Sequence, residues 1–494
     1  MSEHIHRSML AGVYTFSMAH FDLLVIGTGS GNSIVDDRFS HLKVAIAEKW
    51  LFGGTCLNVG CIPTKMLVYP AEVAHSSADS AHLNLATSFD GVDWNGLSHR
   101  IFDRIDAIEE DGRDYRTNRL DNVTVFPEHI HFTGRNSAQT ASGDTLTFDR
   151  VVIATGSSPT PLKASGLDWD RVDKENYPVK TSNSIMRMPE LPRSLVIVGS
   201  GFIAVEFAHI FASLSVDVTV LARGNRLLSN HDRDVSDAFT RQFTKNVNVR
   251  FGVEVESVDV ADGVSLTLTE TGRAQDADTS AVEAQLMLVA VGRTRSTHAL
   301  NVGALGAQTD GDRLVVDERQ RVLSNGEPLD GVWALGDVCS EHMLKHVANA
   351  EARTVQHNIL VDLGVETTPA STDHSVIPAA VFSDPQIGTV GATEEQLRAE
   401  GVDFVSSTCE YGGVAFGWAL NEPGFAKVLA HRTTKRILGA HVVGAQAASL
   451  VQLFVQAMAF DIPADQMARG QMWIHPALTE VVENALLGLE FGDG

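Results

Sequence analysis

Two cysteines five positions apart carry the densest chemical signal in this 494-residue sequence. Cys56 and Cys61 lie in the run GGTCLNVGCIPTK, residues 53–65, where the pattern predicts the start of a helix. Cysteines at this spacing can close a small disulfide. A helix N-terminus and the nearby charge of Lys65 favour thiolate over thiol. The run therefore predicts a reactive cysteine pair.

Metal binding is the competing interpretation of these cysteines. It needs at least two further ligands, and Cys339 and Cys409 lie far along the chain without a neighbouring cysteine. We therefore expect no metal site.

A histidine near the C-terminus supplies the acid that a disulfide needs when it opens. His475 lies in the run WIHPALTE, residues 473–480, and Glu480 can accept its second N–H. A histidine of this kind is more often structural when it stands alone. The cysteine pair favours a catalytic role, in which His475 protonates a departing thiolate.

The elements around the cysteines predict a dinucleotide-binding fold. An apolar strand over residues 21–26 precedes a glycine-rich turn, and a second strand over residues 44–47 ends in Glu48. The glycines of the turn are Gly27, Gly29 and Gly31. Such glycines let a pyrophosphate approach a helix N-terminus, and an acid at the tip of the second strand binds ribose hydroxyls. The pattern predicts a βαβ unit.

The same pattern recurs with strands over residues 194–198 and 217–221. The small residues of its turn are Gly199, Gly201 and Ala204. Here the second strand is followed by Arg223 and Arg226 instead of a carboxylate. Arginines pair with the 2′-phosphate of NADPH, so this unit predicts NADPH rather than NADH. The alternative is that both arginines belong to a solvated loop.

Composition limits the partners and the compartment. The chain has 38 basic and 62 acidic residues, a net charge of −24, which disfavours nucleic acid and anionic membrane surfaces. An anionic cofactor must then be held by local amides and dipoles. Only four cysteines indicate a reducing compartment, and no apolar run reaches the about 20 residues of a membrane span. Residues 1–20 do not resemble a signal peptide, so we expect a cytoplasmic protein.

Together, these motifs resemble the flavoprotein disulfide reductases, the FAD-dependent pyridine nucleotide-disulfide oxidoreductase family. The resemblance covers the chain from about residue 21 to 489 and implies an α/β fold with two Rossmann-like domains and a C-terminal α+β dimerisation domain. The expected division is an extension over 1–20, an FAD domain over 21–158 and 292–370, an NADPH domain over 159–291, and an interface domain over 371–494.

The resemblance also implies cofactors and residue roles. FAD would lie on the first glycine turn with its ribose on Glu48, and NADPH on the second turn. Lys65, paired with Glu206, would lie near flavin N5. Cys61 would be the thiol beside the flavin and Cys56 the thiol that attacks substrate. Further residues implied to contact a cofactor are Gly54, Thr55, Thr155, Gly156, Gly292, Arg293 and, along the ribityl chain, Asp337. The other subunit of a homodimer would supply His475 and Glu480.

Four runs are similar to members of the family that reduce mycothiol disulfide, a small uncharged disulfide that needs no cationic clamp. The runs cover residues 27–33, 344–349, 411–418 and 469–478. The alternatives are dihydrolipoamide dehydrogenase, another NAD(P)H-dependent disulfide reductase, and a flavin-binding redox sensor without turnover. The arginine at 223 argues against the first, and the histidine at 475 against the sensor. Mercuric reductase would need a C-terminal cysteine pair that the chain lacks.

Overall fold

The computed structural model describes residues 18–271 and 280–492 and has the predicted α/β architecture. Of the predicted N-terminal extension, residues 1–17 lie outside the described residues, and the first strand begins at Met18, three residues earlier than expected. In chain order the strands are β1 (Met18–Ile26), β2 (Val44–Ala47), β3 (Val123–Phe126), β4 (Ile130–Gly134), β5 (Ser137–Thr140), β6 (Thr145–Ile153), β7 (Ser157–Pro159), β8 (Val179–Lys180), β9 (Ser194–Val198), β10 (Asp217–Ala222), β11 (Asn248–Phe251), β12 (Val253–Val260), β13 (Val264–Glu270), β14 (Ser280–Ala284), β15 (Leu286–Val289), β16 (Arg293–Arg295), β17 (Thr309–Asp310), β18 (Arg313–Leu314), β19 (Arg321–Ser324), β20 (Glu327–Ala334), β21 (Pro378–Val381), β22 (Ile387–Gly391), β23 (Phe404–Glu410), β24 (Phe425–His431) and β25 (Ile437–Val443).

The α-helices are α1 (Gly54–Asn58), α2 (Cys61–Ala78), α3 (Trp94–Asp114), α4 (Phe202–Ser213), α5 (Arg233–Phe243), α6 (Val302–Leu305), α7 (Lys345–Asp362), α8 (Glu394–Ala399), α9 (Ala415–Leu420), α10 (Ala447–Ala459), α11 (Ala464–Arg469) and α12 (Glu480–Leu487). Within the part of the chain that the structure describes, none of these helices combines the length and the apolar character of a membrane span.

The described chain forms two compact units. The first consists of residues 18–56, 107–158 and 295–372, and the second of residues 57–106, 159–271, 280–294 and 373–492. Residues 57–106 belong to the second unit because α2 packs on α4, with Leu67 and Val205 in one apolar core. The predicted segment 21–158 is thus shared between the units, and the division into three domains stays a prediction.

A mainly parallel sheet forms the centre of the first unit, with the strand order β19-β20-β6-β1-β2-β3. Side chains of β1 alternate between its two faces, as a buried strand requires. Leu24 and Ile26 face one apolar core, whereas Leu23 and Val25 face another that includes Val355 of α7. The parallel pairing of β1 with β2, in which Ile26 lies opposite Ala47, places the carboxyl ends of the two strands side by side.

The first βαβ unit differs from the prediction, because no α-helix joins β1 to β2. Two short 3-10 turns, Ser30–Ser33 and Asp37–Phe39, make the connection. Side chains from elsewhere bond this segment instead. Arg116 donates to Oδ1 and O of Asn32, at 3.0 and 2.7 Å, and Gln356 donates to two backbone carbonyls, at 3.2 and 2.9 Å. These bonds satisfy carbonyl groups that a helix would otherwise pair internally.

The second unit carries a parallel sheet with the order β11-β10-β9-β15-β8 and an antiparallel sheet with the order β21-β22-β25-β24-β23. The parallel sheet has the predicted βαβ connection, because α4 follows β9 directly and β10 pairs with β9 in parallel. The antiparallel sheet packs on α10 and α12 through a core that includes Val428 and Phe454.

A buried cation joins β24 of the antiparallel sheet to the starts of helices α5 and α8. Lys427 of β24 is 3% exposed, and its Nζ lies 3.0 Å from Asp232 Oδ1 and 2.7 Å from Asp234 Oδ2. It also lies 2.6 Å from Glu394 Oε2. Burial works to lower the pKa of Lys427, but hydrogen bonds to the three carboxylates outweigh it and raise that pKa. The network therefore holds a charged lysine in the interior.

We expect Lys427→Met to lower the free energy of unfolding by about 3–5 kcal/mol, because removing one partner of a buried ion pair leaves uncompensated charge. Urea unfolding of the flavin-loaded protein measures the loss. Lys435→Met is the matched control, since Lys435 pairs with Asp465 near the surface, where such a pair contributes at most about 1 kcal/mol. Equal small losses in both variants would contradict a structural role for Lys427.

Candidate active site

The first glycine of each glycine turn has a positive φ and is closely packed against a backbone carbonyl group. Gly27 has φ +101°, and a Cβ there would lie 2.3 Å from the carbonyl oxygen of Ala154. Gly199 has φ +142°, and a Cβ there would lie 2.3 Å from the carbonyl oxygen of Ala290. Glycine is therefore required at both positions. Each unit of the structure contains one such turn.

Both turns also leave room for a ligand. A Cβ added at Gly29 or at Gly201 would meet nothing within 4 Å, although the glycine two positions earlier in each turn is closely packed. A turn that is tight on its inner side and open on its outer side suits the close approach of a nucleotide diphosphate. The residues present therefore fit one dinucleotide in each unit. Gly31 packs inward, because its Cβ would meet Ala154 at 2.7 Å.

Glu48 lies at the tip of β2 beside the first turn. Its Oε2 accepts hydrogen bonds from N and Oγ1 of Thr28, at 2.9 and 2.8 Å, and its Oε1 accepts one from N of Trp50 at 2.9 Å. A carboxylate has about four lone-pair positions, so Glu48 can still accept a ribose hydroxyl. The block that contains the cysteines starts on the same turn, because a Cβ on Gly54 would lie 2.8 Å from Gly29 Cα.

Asp337 lies just after β20, close to residues 155–157, where the chain leaves β6. Its Oδ2 accepts a hydrogen bond of 2.5 Å from Ser157 Oγ, and the preceding Gly336 has φ +76°. Thr155 Oγ1 donates to the carbonyl oxygen of Ser296 at 3.0 Å, and Ser296 N donates to Gly156 O at 3.0 Å. These bonds fix the carboxylate of Asp337 and residues 155–156 at the carboxyl ends of the parallel strands.

The second turn leads into a regular helix. Gly201 is the N-cap of α4, and Ala204 is buried in its first turn. The first N–H groups of a helix are unpaired within it and bind anions. Beyond β10, the side chain of Arg223 is 78% exposed and that of Arg226 is 28% exposed. Of the other predicted contacts, Gly292 has φ +131°, Arg293 begins β16 and Thr55 lies in α1.

We expect the two arginines to favour NADPH over NADH by about 100-fold or more in kcat/KM, because each charge-assisted contact with a 2′-phosphate contributes about 1.5–3 kcal/mol. Arg223→Ala should reduce that ratio about tenfold or more. Arg193→Ala is the control, since Arg193 precedes β9 at the opposite end of the strand. A ratio that is unchanged in Arg223→Ala would show that the side chain belongs to a solvated loop.

The second unit brings three predicted residues together. Cys61 is the first residue of α2 and is exposed, and Lys65 follows it one helical turn later. Lys65 Nζ donates to Oε1 and Oε2 of Glu206 at 2.8 and 2.7 Å. Cys56 lies in α1 and is partly buried. The helix N-terminus and the ammonium group both favour the thiolate of Cys61.

Glu206 is a buried carboxylate, only 3% exposed. Burial raises its pKa, whereas the charge and the hydrogen bonds of Lys65 and a hydrogen bond of 2.9 Å from Phe382 N work to lower it. Lys65 Nζ also lies 4.6 Å from the centre of the Phe382 ring. The lysine is thus held on one side by charge and on another by an aromatic face.

A cavity of about 560 Å³ opens beside Cys61 and Lys65. Its other lining residues are Ile62, Met66, Tyr69 and Arg100. The lining is largely apolar around a thiol, an ammonium group and one guanidinium group. This composition suits a small organic group close to a reactive cysteine.

His475 and Glu480 form the predicted pair. His475 Nδ1 lies 2.8 Å from Glu480 Oε1, and Ala477 N donates to Glu480 Oε2 at 3.3 Å. The hydrogen bond with His475 lowers the pKa of Glu480. The His475 side chain is 70% exposed in the single chain.

Sequence reasoning missed several residues that complete these sites. Thr28 and Ser157 hold the two carboxylates of the first unit, Phe382 holds Glu206, and Lys345 donates to Ser30 of the first turn at 2.8 Å. Thr28 lies inside the glycine run and could have been proposed from it. The others are far from their partners in sequence, and no local pattern indicates them.

Comparison with known proteins finds matches over nearly the whole chain. Residues 21–353 match the family model described as pyridine nucleotide-disulphide oxidoreductase, and residues 377–486 match its dimerisation domain. The chain is 45% identical over 482 residues to a mycothione reductase of Mycobacterium tuberculosis, which covers 96% of this chain and 100% of that protein. It is 30% identical over 484 residues to a dihydrolipoyl dehydrogenase of Halobacterium salinarum, covering 94% and 95% of the two chains.

Among solved structures, the HOCl-induced flavoprotein disulfide reductase RclA from Escherichia coli has the same fold. The TM-score is 0.77 at 23% sequence identity, and the match covers 94% of this chain and 99% of that one. The family model alone spans most of the chain and includes the first turn, the cysteine pair and the second turn. The chain therefore belongs to the pyridine nucleotide-disulphide oxidoreductase family.

Proposed function

We propose that this enzyme reduces mycothiol disulfide to two molecules of mycothiol with electrons from NADPH. The observation that carries the proposal is the arrangement of Cys61 at the head of α2, with Lys65 one turn later bound to the buried Glu206. The identity of 45% with a mycothione reductase over the full length of that protein supports the choice of disulfide.

The enzyme uses FAD and NADPH. The residues of the first unit that would hold FAD are the glycine turn at 27–31, Glu48 and Asp337, and those that would hold NADPH are the second turn with Arg223 and Arg226. FAD supplies two-electron transfer between a nicotinamide and a disulfide. The protein supplies orientation, and Lys65 a fixed positive charge beside Cys61.

The side chains of the protein carry out the thiol–disulfide exchange. The thiolate of Cys56 attacks one sulfur of the substrate, the substrate S–S bond breaks, and a mixed disulfide with Cys56 forms. The thiolate that leaves takes a proton from the imidazolium of His475. The thiolate of Cys61 then attacks the Cys56 sulfur, which releases the second thiol and closes the Cys56–Cys61 disulfide for the next reduction.

In this proposal the enzyme is a homodimer, and His475 with Glu480 acts on the cysteine pair of the partner subunit. The match of residues 377–486 to a dimerisation domain supports the dimer, and the exposed side chain of His475 supports its use across an interface. The enzyme works in the cytoplasm, where NADPH is available. The low cysteine count supports that compartment.

The deciding experiment offers the purified enzyme mycothiol disulfide, glutathione disulfide and lipoamide in parallel, each with NADPH and with NADH. We expect the highest kcat/KM for mycothiol disulfide with NADPH. A preference for lipoamide with the NAD couple would make the chain a dihydrolipoyl dehydrogenase instead. Bound flavin without turnover of any disulfide would support a redox sensor.

A further inference from the structure

The two glycine turns lead into different secondary structure. The second turn runs into the 12-residue helix α4, whose N-terminus attracts anions. The first turn runs into a 3-10 turn of four residues, Ser30–Ser33, and then into a second short turn. A diphosphate on the first turn therefore lacks the aligned dipoles of a following helix. In a chain of net charge −24, that anion needs another source of positive potential.

Lys345 lies at this position. It is the first residue of α7 and is half-buried, and its Nζ donates to Ser30 Oγ at 2.8 Å. Ser30 Oγ in turn donates to Asn349 Oδ1, one helical turn further along α7, at 3.0 Å. Ser30 itself is buried between Gly29 and Gly31, so the ammonium group is held against the turn.

The ammonium group has capacity to spare. Lys345 Nζ carries three N–H donors, and the contact with Ser30 uses one of them on a neutral hydroxyl. The adjacent side of the turn, at Gly29, is the side that would leave an added Cβ without neighbours within 4 Å. A phosphate oxygen placed there can accept from Nζ while the bond to Ser30 stays in place.

We propose that Lys345 is the residue that binds the diphosphate of FAD, in place of the helix N-terminus that the second turn uses for its nucleotide. The inference rests on FAD as the cofactor of the proposed function. It names a charged side chain where composition alone predicted only amides and dipoles. It also gives α7 a role in binding, because Lys345 and Asn349, one helical turn apart at the start of α7, are the partners of the Ser30 side chain.

The test compares the purified holoenzyme with Lys345→Met, which keeps the length of the side chain but removes its charge. FAD released on dilution is measured by its fluorescence at increasing potassium chloride. We expect the Kd for FAD to rise about 10- to 100-fold, as for the loss of a charge-assisted hydrogen bond, and its dependence on salt to weaken. Lys345→Arg should restore most of the affinity. Lys43→Met, at the opposite end of β2, should change nothing.

A second measurement separates charge from structure. The full-length chain, freed of flavin, is titrated with ADP and with adenosine. Lys345→Met should weaken ADP binding and leave adenosine binding unchanged, because only ADP carries the diphosphate. Equal losses for both ligands, or an unchanged Kd for FAD, would overturn the inference. A wild-type protein that binds no FAD would instead overturn the proposed function, so the two failures are distinguishable.

Discussion

His475→Ala is expected to lower disulfide turnover by about 10²–10⁴-fold, the usual contribution of a positioned proton donor. A departing thiolate needs a proton, and Glu480 keeps the imidazole ring oriented through a hydrogen bond of 2.8 Å. Oxidation of NADPH by ferricyanide should continue in this variant, because it requires no thiol to leave. Steady-state kinetics with both acceptors measures the difference. Glu480→Gln should cost less, since the amide can still orient the ring.

Mixed dimers test whether the histidine acts across an interface. Subunits inactivated by Cys56→Ser are combined with subunits inactivated by His475→Ala. Random exchange makes about half of the dimers mixed, and each mixed dimer regains one intact site of two, so about a quarter of the activity should return. Mixed dimers that form and remain inactive would place the whole site within one chain.

Cys56→Ser and Cys61→Ser are each expected to abolish turnover, the largest effect of any substitution considered. The reaction opens and closes a bond between these two sulfurs, and serine forms no such bond. The two variants should differ in a single turnover. Cys61→Ser retains the attacking thiol, so it should release one equivalent of thiol from the substrate and keep the other half as a stable mixed disulfide on Cys56.

Mass spectrometry of the intact protein detects that mixed disulfide. Cys409→Ser is the matched control, because Cys409 is partly buried like Cys56 but lies outside the cysteine block, and it should retain full turnover. A stable mixed disulfide on Cys61 in Cys56→Ser, with none on Cys56 in Cys61→Ser, would reverse the roles of the two cysteines.

Local sequence predicted those parts of the fold that local physics determines. Strands β2 and β9 have the predicted ends, because short apolar runs between turn residues fix both boundaries. The two glycine turns and the pairing of His475 with Glu480 also follow from spacing within a few residues. Contacts at short range leave a pattern in the sequence.

The prediction of a helix after Gly31 was wrong, and the residues that bond this segment are distant in the sequence. Arg116 and Gln356 bond the backbone of this segment from 80 or more positions away in the chain. Lys345 meets Ser30 across 315 positions. Composition and spacing do not encode such pairs, so the mode of anion binding on the first turn could be read only from the folded chain.

The ionic cluster around Lys427 has a consequence for dissecting the chain into fragments. Asp232 and Glu206 belong to the segment that carries the second glycine turn, but each has a partner beyond residue 372. Asp232 pairs with Lys427, and Glu206 accepts a hydrogen bond from Phe382 N. A fragment that ends at residue 372 would keep the buried carboxylate of Asp232 and lose the ammonium group of Lys427 that neutralises it. We therefore expect the nucleotide-binding segment to fold stably as an isolated fragment only if Asp232 is replaced by a neutral residue, as in Asp232→Asn.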